Sequence, residues 1–176
     1  MANYKPFYGL KKIEVGEAVL TNTAPASPKE LPFTKVDTAV YGKAEDSFND
    51  IMTEEEDTPL LRLKSTPGAR TYVVTTYSND LELKAFLEGG TYTAGVAGPP
   101  AVGAKYSPPD TAQAINRYIK LEMIQGKTIE IFNASVSFVE NTITQKSGLP
   151  EWTITFTAQA VGTGFHAVVE TEPPVA

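Results

Sequence analysis

Between Ala114 and Ala160 the chain reads as three long strands joined by short turns, and this stretch limits the possible folds more than any other. Ile115, Arg117, Ile119, Leu121 and Met123 alternate with Asn116, Tyr118, Lys120 and Glu122. A turn at Gln125-Gly126-Lys127 leads into a second alternating run, Thr128 to Val139. Trp152, Ile154, Phe156, Ala158 and Ala160 then alternate with Thr153, Thr155, Thr157 and Gln159. Successive side chains on a strand point to opposite faces, so a period of two over such lengths means half-buried antiparallel strands. Trp152, Ile154 and Phe156 are in phase and are predicted to be core. The middle run changes phase: Ile129 and Ile131 share one parity, while Phe132, Ala134, Val136 and Phe138 share the other. A β-bulge near Ile131-Phe132, or a strand passing from one sheet to another, accounts for the change. The three runs carry no reactive residues. They point to a protein whose product is shape and surface.

The rest of the chain supplies shorter strands and one helix. Lys11 to Leu20, with Ile13, Val15 and Val19 on one face, reads as a first strand, and Thr34 to Tyr41 as a second. Pro25, Pro28 and Pro32 make Thr21 to Phe33 a loop. Gly42 to Pro59 is acidic, with strand composition from Phe48 to Thr53, and too poor in apolar anchors to offset its own ordering entropy, so it is expected to be extended or mobile in a free subunit. Leu60 to Lys64 is short and apolar. After the turn signal Thr66-Pro67-Gly68-Ala69, Arg70 to Tyr77 is β-branched and aromatic. Asn79 is an N-cap candidate with Glu82 three residues on, and Leu83, Phe86 and Leu87 form an apolar stripe of helical spacing. Asp80 and Lys84 add an acid-to-base pair, and Gly89-Gly90 a stop. So short a helix cannot cover two faces of a sheet; it plugs one open face or one end of a sandwich. Thr91 to Val96 suggests another strand, and Ala97 to Pro109 a long Gly/Pro/Ala loop containing Tyr106. The reading is one domain over 1–176, mainly β, an antiparallel sandwich or barrel with one short flanking α-helix. It has extended loops, an N-terminal arm over 1–10 and a flexible C-terminal tail over 162–176.

The net charge of −6 argues against a protein that grips nucleic acid by its phosphates. The absence of cysteine excludes disulfides, thiolate metal sites and thiol nucleophiles. No apolar run approaches the roughly 20 residues that span a bilayer, and Met1 to Lys12 holds no signal-like apolar core, so no membrane role and synthesis in a cytoplasm are expected. His166 is the sole histidine, and no partnered nucleophile accompanies it; it reads as a surface residue and the chain as no enzyme. Glu54, Glu55, Glu56 and Asp57 form a carboxylate run without the spacing of a calcium loop. It reads as a solvated loop or as an acidic patch that pairs with a neighbour's Lys or Arg. No metal site or cofactor is expected. Asn133-Ala134-Ser135 matches a glycosylation sequon by chance, inside a strand.

The order of these elements resembles the major tail proteins, or tail tube proteins, of long-tailed bacteriophages. The matching parts are the opening Tyr8 to Glu17, the acidic segment into a Pro-Gly turn (Glu54 to Gly68), and the strand Arg70 to Tyr77. The helix Asn79 to Glu88 with Gly89-Gly90-Thr91, the paired strands Tyr118 to Ile124 and Lys127 to Phe138, and the Thr-rich strand Glu151 to Ala160 complete the set. Together they span roughly residues 8–162; the Ala94 to Pro109 loop and the tail after Gly162 depart from a minimal tube protein. The resemblance implies a structural virion subunit, made in a bacterial host and located in the tail. Its partners would be copies of itself in hexameric rings, and other tail proteins. Stacked rings would form a tube through which DNA passes without specific binding. Tyr4, Phe7, Tyr8, Glu54, Glu55, Glu56, Asp57 and Tyr106 are then candidate inter-subunit contacts. Leu83, Phe86, Leu87, Trp152, Ile154 and Phe156 are the expected structural core. The alternative is a β-sandwich binding or adhesin module that recognises a sugar or a protein.

Overall fold

The computed structural model describes residues 9–54, 56–141 and 148–174. In chain order the strands are β1 (Leu10–Glu17), β2 (Lys29–Glu30), β3 (Val40–Lys43), β4 (Ser47–Thr53), β5 (Glu56–Thr66) and β6 (Arg70–Tyr77). The helix α1 (Leu81–Glu88) follows, then β7 (Thr91–Thr93), β8 (Lys105–Ser107), β9 (Asn116–Met123), β10 (Thr128–Asn141), β11 (Glu151–Ala158) and β12 (Val168–Thr171). Among the described residues the fold is mainly β, with antiparallel pairing throughout and one short flanking helix, as the alternating patterns predict.

The main sheet runs β2-β1-β9-β10-β11-β6-β3, and β10 is its spine. The first half of β10 pairs with β9 on one edge and β12 on the other; the second half pairs with β11. The register against β9 shifts between Ile131 and Ala134. This is the phase change read in the sequence. Before the bulge Ile129 and Ile131 enter the core; after it Ala134 does, with Val136 and Phe138 packed alongside. The bulge backbone keeps its hydrogen bonds: Val19 N donates to Phe132 O at 2.9 Å, and Phe132 N to Ala167 O at 3.1 Å. That matters because an unpaired buried peptide group costs as much as a lost hydrogen bond.

The core joins Ile13 and Val15 of β1, Ile119 and Leu121 of β9, Tyr72 and Val74 of β6, and Trp152, Ile154 and Phe156 of β11. The predicted core trio of β11 is therefore buried. Leu83 and Leu87 of α1 close one end of this core, while Phe86 is only partly buried against it. Arg117 covers the Phe86 ring at 4.1 Å and Lys29 lies 5.4 Å from it. The N-cap is Asp80 and not Asn79: its Oδ1 accepts from Glu82 N at 2.9 Å and Leu83 N at 3.2 Å. Gly89, at φ 88°, ends the helix where an L side chain would be strained.

Three sequence expectations are corrected. Thr34 to Tyr41 is no continuous strand: Thr34 bridges Thr76, Asp37 turns the chain at φ 60°, and pairing resumes only at Val40. The strand expected over Thr91 to Val96 ends at Thr93, and the Gly/Pro/Ala segment is no open loop. It returns as a hairpin, with β7 on β8 and Val96 bridging Val102. The acidic segment is extended, as expected, and its strand from Phe48 to Thr53 lies within β4, paired with β5. Residues 162–174 are no loose tail. Gly162 N donates to Leu20 O at 2.9 Å, Asn22 exchanges two hydrogen bonds with the His166 backbone, and β12 pairs with β10. Glu170 of β12 accepts from Arg70 Nη1 at 3.1 Å, Lys127 Nζ at 2.8 Å and Tyr41 Oη at 3.2 Å, which ties the end of the chain to three other parts of the sheet.

Candidate assembly surface

The β4–β5 hairpin leaves the main sheet between β3 and β6 and pairs only with itself among the described strands. Its register places Asn49 and Ile51 opposite Leu63 and Leu61, so Ile51, Leu61 and Leu63 share one face. Phe48 and Asp50 lie opposite Lys64 and Arg62 on the other face. There Arg62 pairs with Asp50 at 2.9 Å and stacks over the Phe48 ring at 5.2 Å. Phe48, Ile51, Met52, Leu60, Leu61 and Leu63 are all exposed. A two-stranded ribbon is marginal in water unless a face is covered. Six large apolar side chains on such a ribbon make an exposed apolar patch, the kind of surface that marks an interaction site.

The root of the hairpin is fastened by one carboxylate. Asp46 accepts from the Gly68 backbone N at 2.7 Å, from Lys43 Nζ at 2.7 Å and from Lys64 Nζ at 2.5 Å. These donors lie on β3, on β5 and in the turn before β6, so a single side chain ties the exit to the return of the hairpin. The Gly68 peptide and the lysines hold the Asp46 carboxyl well below the usual carboxylate range. Gly68 is required there, because a Cβ would fall 1.8 Å from the Ala44 carbonyl oxygen.

The two wings of the sheet turn different outer faces to solvent. On β1, β9 and the first half of β10, Lys12 is opposite Glu122, Glu14 opposite Lys120, and Lys120 opposite Glu130. These opposed charges make a paired mosaic with carboxylates in excess. On the second wing the outward positions are Ser135, Thr157 and Thr71 in one row, and Ser137, Thr155 and Val73 in the next. In a third row Thr75 and Thr153 exchange a hydrogen bond at 3.2 Å. These rows carry mostly hydroxyls, and at the end of the same face Glu151 pairs with Lys35 at 2.8 Å.

At the far end of β6 from the hairpin lies an open groove. Residues 9–13 form one wall and residues 30–39 the other, enclosing about 910 Å³. The second wall is fixed by Tyr77 N donating to Phe33 O at 2.9 Å and Lys35 N donating to Thr75 O at 2.8 Å. Phe33 is 83% exposed and Val36 82%.

Of the contacts expected from sequence, Glu54 is exposed at the hairpin turn. The backbones of Glu56 and Asp57 open β5. Tyr4, Phe7, Tyr8 and Glu55 lie outside the described residues. Tyr106 is engaged within the subunit: its hydroxyl lies 2.8 Å from Glu88 Oε2 and 3.0 Å from Gly89 O, and Lys84 sits 5.0 Å from its ring. The sequence reading missed Phe33 and Val36, which were hidden among prolines, and the paired apolar face of Ile51, Leu61 and Leu63. The signal for the latter was the apolar parity of Leu61 and Leu63, masked by the carboxylates before it. Among the described residues no group of His, Asp or Glu is placed to hold a metal, and no helix is long and apolar enough to cross a membrane.

No family model and no curated protein matches this chain. The backbone arrangement is similar to that of a chain in the cryo-EM structure of an extracellular contractile injection system, the PVC sheath-tube complex in extended state. The identity is 12%, the TM-score 0.49, and the likeness covers 98% of this chain and 95% of that one.

Proposed function

We propose that this chain is a structural subunit that polymerises with its own copies, as hexameric rings stacked into the tube of a phage-type tail. DNA would pass through that tube without specific binding. The β4–β5 hairpin carries the reading: it exposes apolar side chains on a ribbon that pairs with no other strand among the described residues. The tail-protein order of elements in the sequence supports the same reading. A lumen bounded by a carboxylate-rich mosaic or by rows of hydroxyls would offer phosphates no cluster of unpaired positive charge. The subunit performs no catalysis, and it works in the tail particle beside other tail proteins.

A sugar-binding module is the less supported reading. Such a module needs an exposed aromatic platform, and the only tryptophan, Trp152, is buried under β11 against Phe138. Light scattering over a concentration series tests the proposal. A mass that grows with concentration toward an ordered polymer supports it; a strict monomer at every concentration and salt contradicts it.

A further inference from the structure

The groove between residues 9–13 and 30–39 is a recess at the point where the chain enters the sheet. Gly9 is part of its wall, and Gly9 O accepts from Ile124 N at 3.1 Å, so the backbone is fastened beside β9 from that residue on. Residues 1–8, with Tyr4, Lys5, Pro6, Phe7 and Tyr8, lead into Gly9. We propose that in the free subunit this arm folds back into the recess of its own molecule, as an added strand on the outer edge of β1 that covers Phe33 and Val36.

Four observations select that occupant. The first is place and reach. Gly9 has φ 75°, the value of a glycine at the third position of a type II turn, which reverses a chain within four residues. At about 3.3 Å per residue, the arm reaches roughly 26 Å, and running back along Leu10 to Ile13 takes roughly 13 Å. The second is edge chemistry. β2 covers β1 only at Glu14 and Val15, and Leu31 N reaches Ile13 O; from there back to Gly9 the outer edge of β1 has no strand beside it among the described residues. An open edge accepts an extended segment through main-chain hydrogen bonds, and left bare it invites pairing with other chains. Pro6 lacks one N–H, which an edge strand tolerates on its solvent side. The third is apolar complementarity. Phe33 and Val36 stand exposed at the recess, and the arm carries three aromatic rings. The fourth is charge. The recess lysines Lys11, Lys12 and Lys35 already pair with Glu122, Glu14 and Glu151, while Asp37 lines the recess outside those pairs and Lys5 brings the opposite charge. The tether decides for the same molecule over a second copy, because an arm joined to the recess wall meets its own recess at a roughly millimolar effective concentration. The arm thus closes an open edge and an apolar pair together, and its departure opens the subunit to association.

The absence of cysteine gives a clean test. Asn3→Cys or Phe7→Cys marks the arm and Val36→Cys marks the recess; Val36 is exposed, so its replacement removes no core. Each pair is oxidised mildly at a dilution where light scattering gives a monomer. At least one double variant is expected to lose both thiols as a monomer that migrates faster before reduction than after it. Free thiols that persist in both double variants overturn the docking. Disulfide dimers from an equal mixture of the matching single variants, at the same dilution, overturn it too, because the arm then lies in another subunit's recess. In the cysteine-free chain, Tyr4→Ser with Phe7→Ser is expected to raise amide exchange over Leu10 to Ile13; unchanged exchange there counts against the added strand. A protein that is polymeric at every dilution overturns the proposal, since no free subunit then exists for the arm to close. The crosslinks and the exchange are read on monomers, so they hold or fail independently of polymerisation into a tube.

Discussion

Asp46 Oδ1 accepts the Gly68 backbone N–H at 2.7 Å across the mouth of the β4–β5 hairpin. That bond, with the two lysine pairs beside it, sets the direction in which the ribbon leaves the sheet. Asp46→Asn is expected to free the ribbon without unfolding the sheet. Hydrogen exchange of residues 47–66 should rise, exchange of β9 and β10 should not, and polymerisation should slow. Unchanged exchange at the hairpin would show that the clamp is idle. The pH sense follows from the same bonds. The folded carboxyl lies below its ordinary value of 3.8, so the clamp is whole above that value and weakens as pH falls through it toward the lowered folded value. Loosening of the hairpin between neutral pH and pH 5 would contradict this.

Leu87 and Phe86 sit side by side on α1 but in different surroundings. Leu87 is 1% exposed in the core, whereas Phe86 is held between Arg117 and the partly buried rim. Leu87→Ala is expected to cost about 2–5 kcal/mol, the range for truncating a buried leucine. Phe86→Ala should cost less, through lost packing and lost stacking of Arg117, worth about 0.5–2 kcal/mol for the stacking alone. Denaturant melts of both variants measure the order; a larger loss for Phe86→Ala would reverse the packing described.

The C-terminal strand is part of the fold. Cutting the chain after Val161 removes the partner of the Phe132 N–H, the β12 ladder and the Glu170 ties to Arg70, Lys127 and Tyr41. A clear fall in melting temperature is expected. A truncated protein that melts with the full chain would make 162–174 dispensable.

Much of this was legible from the order of side chains, because a half-buried strand writes its burial into its alternation. Arg70 to Tyr77 was read with the bounds observed, the Ile131-Phe132 break is the bulge, and Trp152, Ile154 and Phe156 are buried. The β12 strand was illegible because it is four residues long and its partner lies far away in sequence. The hairpin was half legible. Its apolar residues are exposed on the ribbon, so Ile51, Leu61 and Leu63 sit among charges and leave no core pattern. The recess was hidden because Phe33 and Val36 lie just before a turn at Asp37 and show no period at all.

Electron microscopy of the concentrated protein tests the central claim most directly. The account expects rings or tubes of uniform width, growing in number as concentration rises. Discrete single subunits in every field, at every concentration and salt, would contradict it.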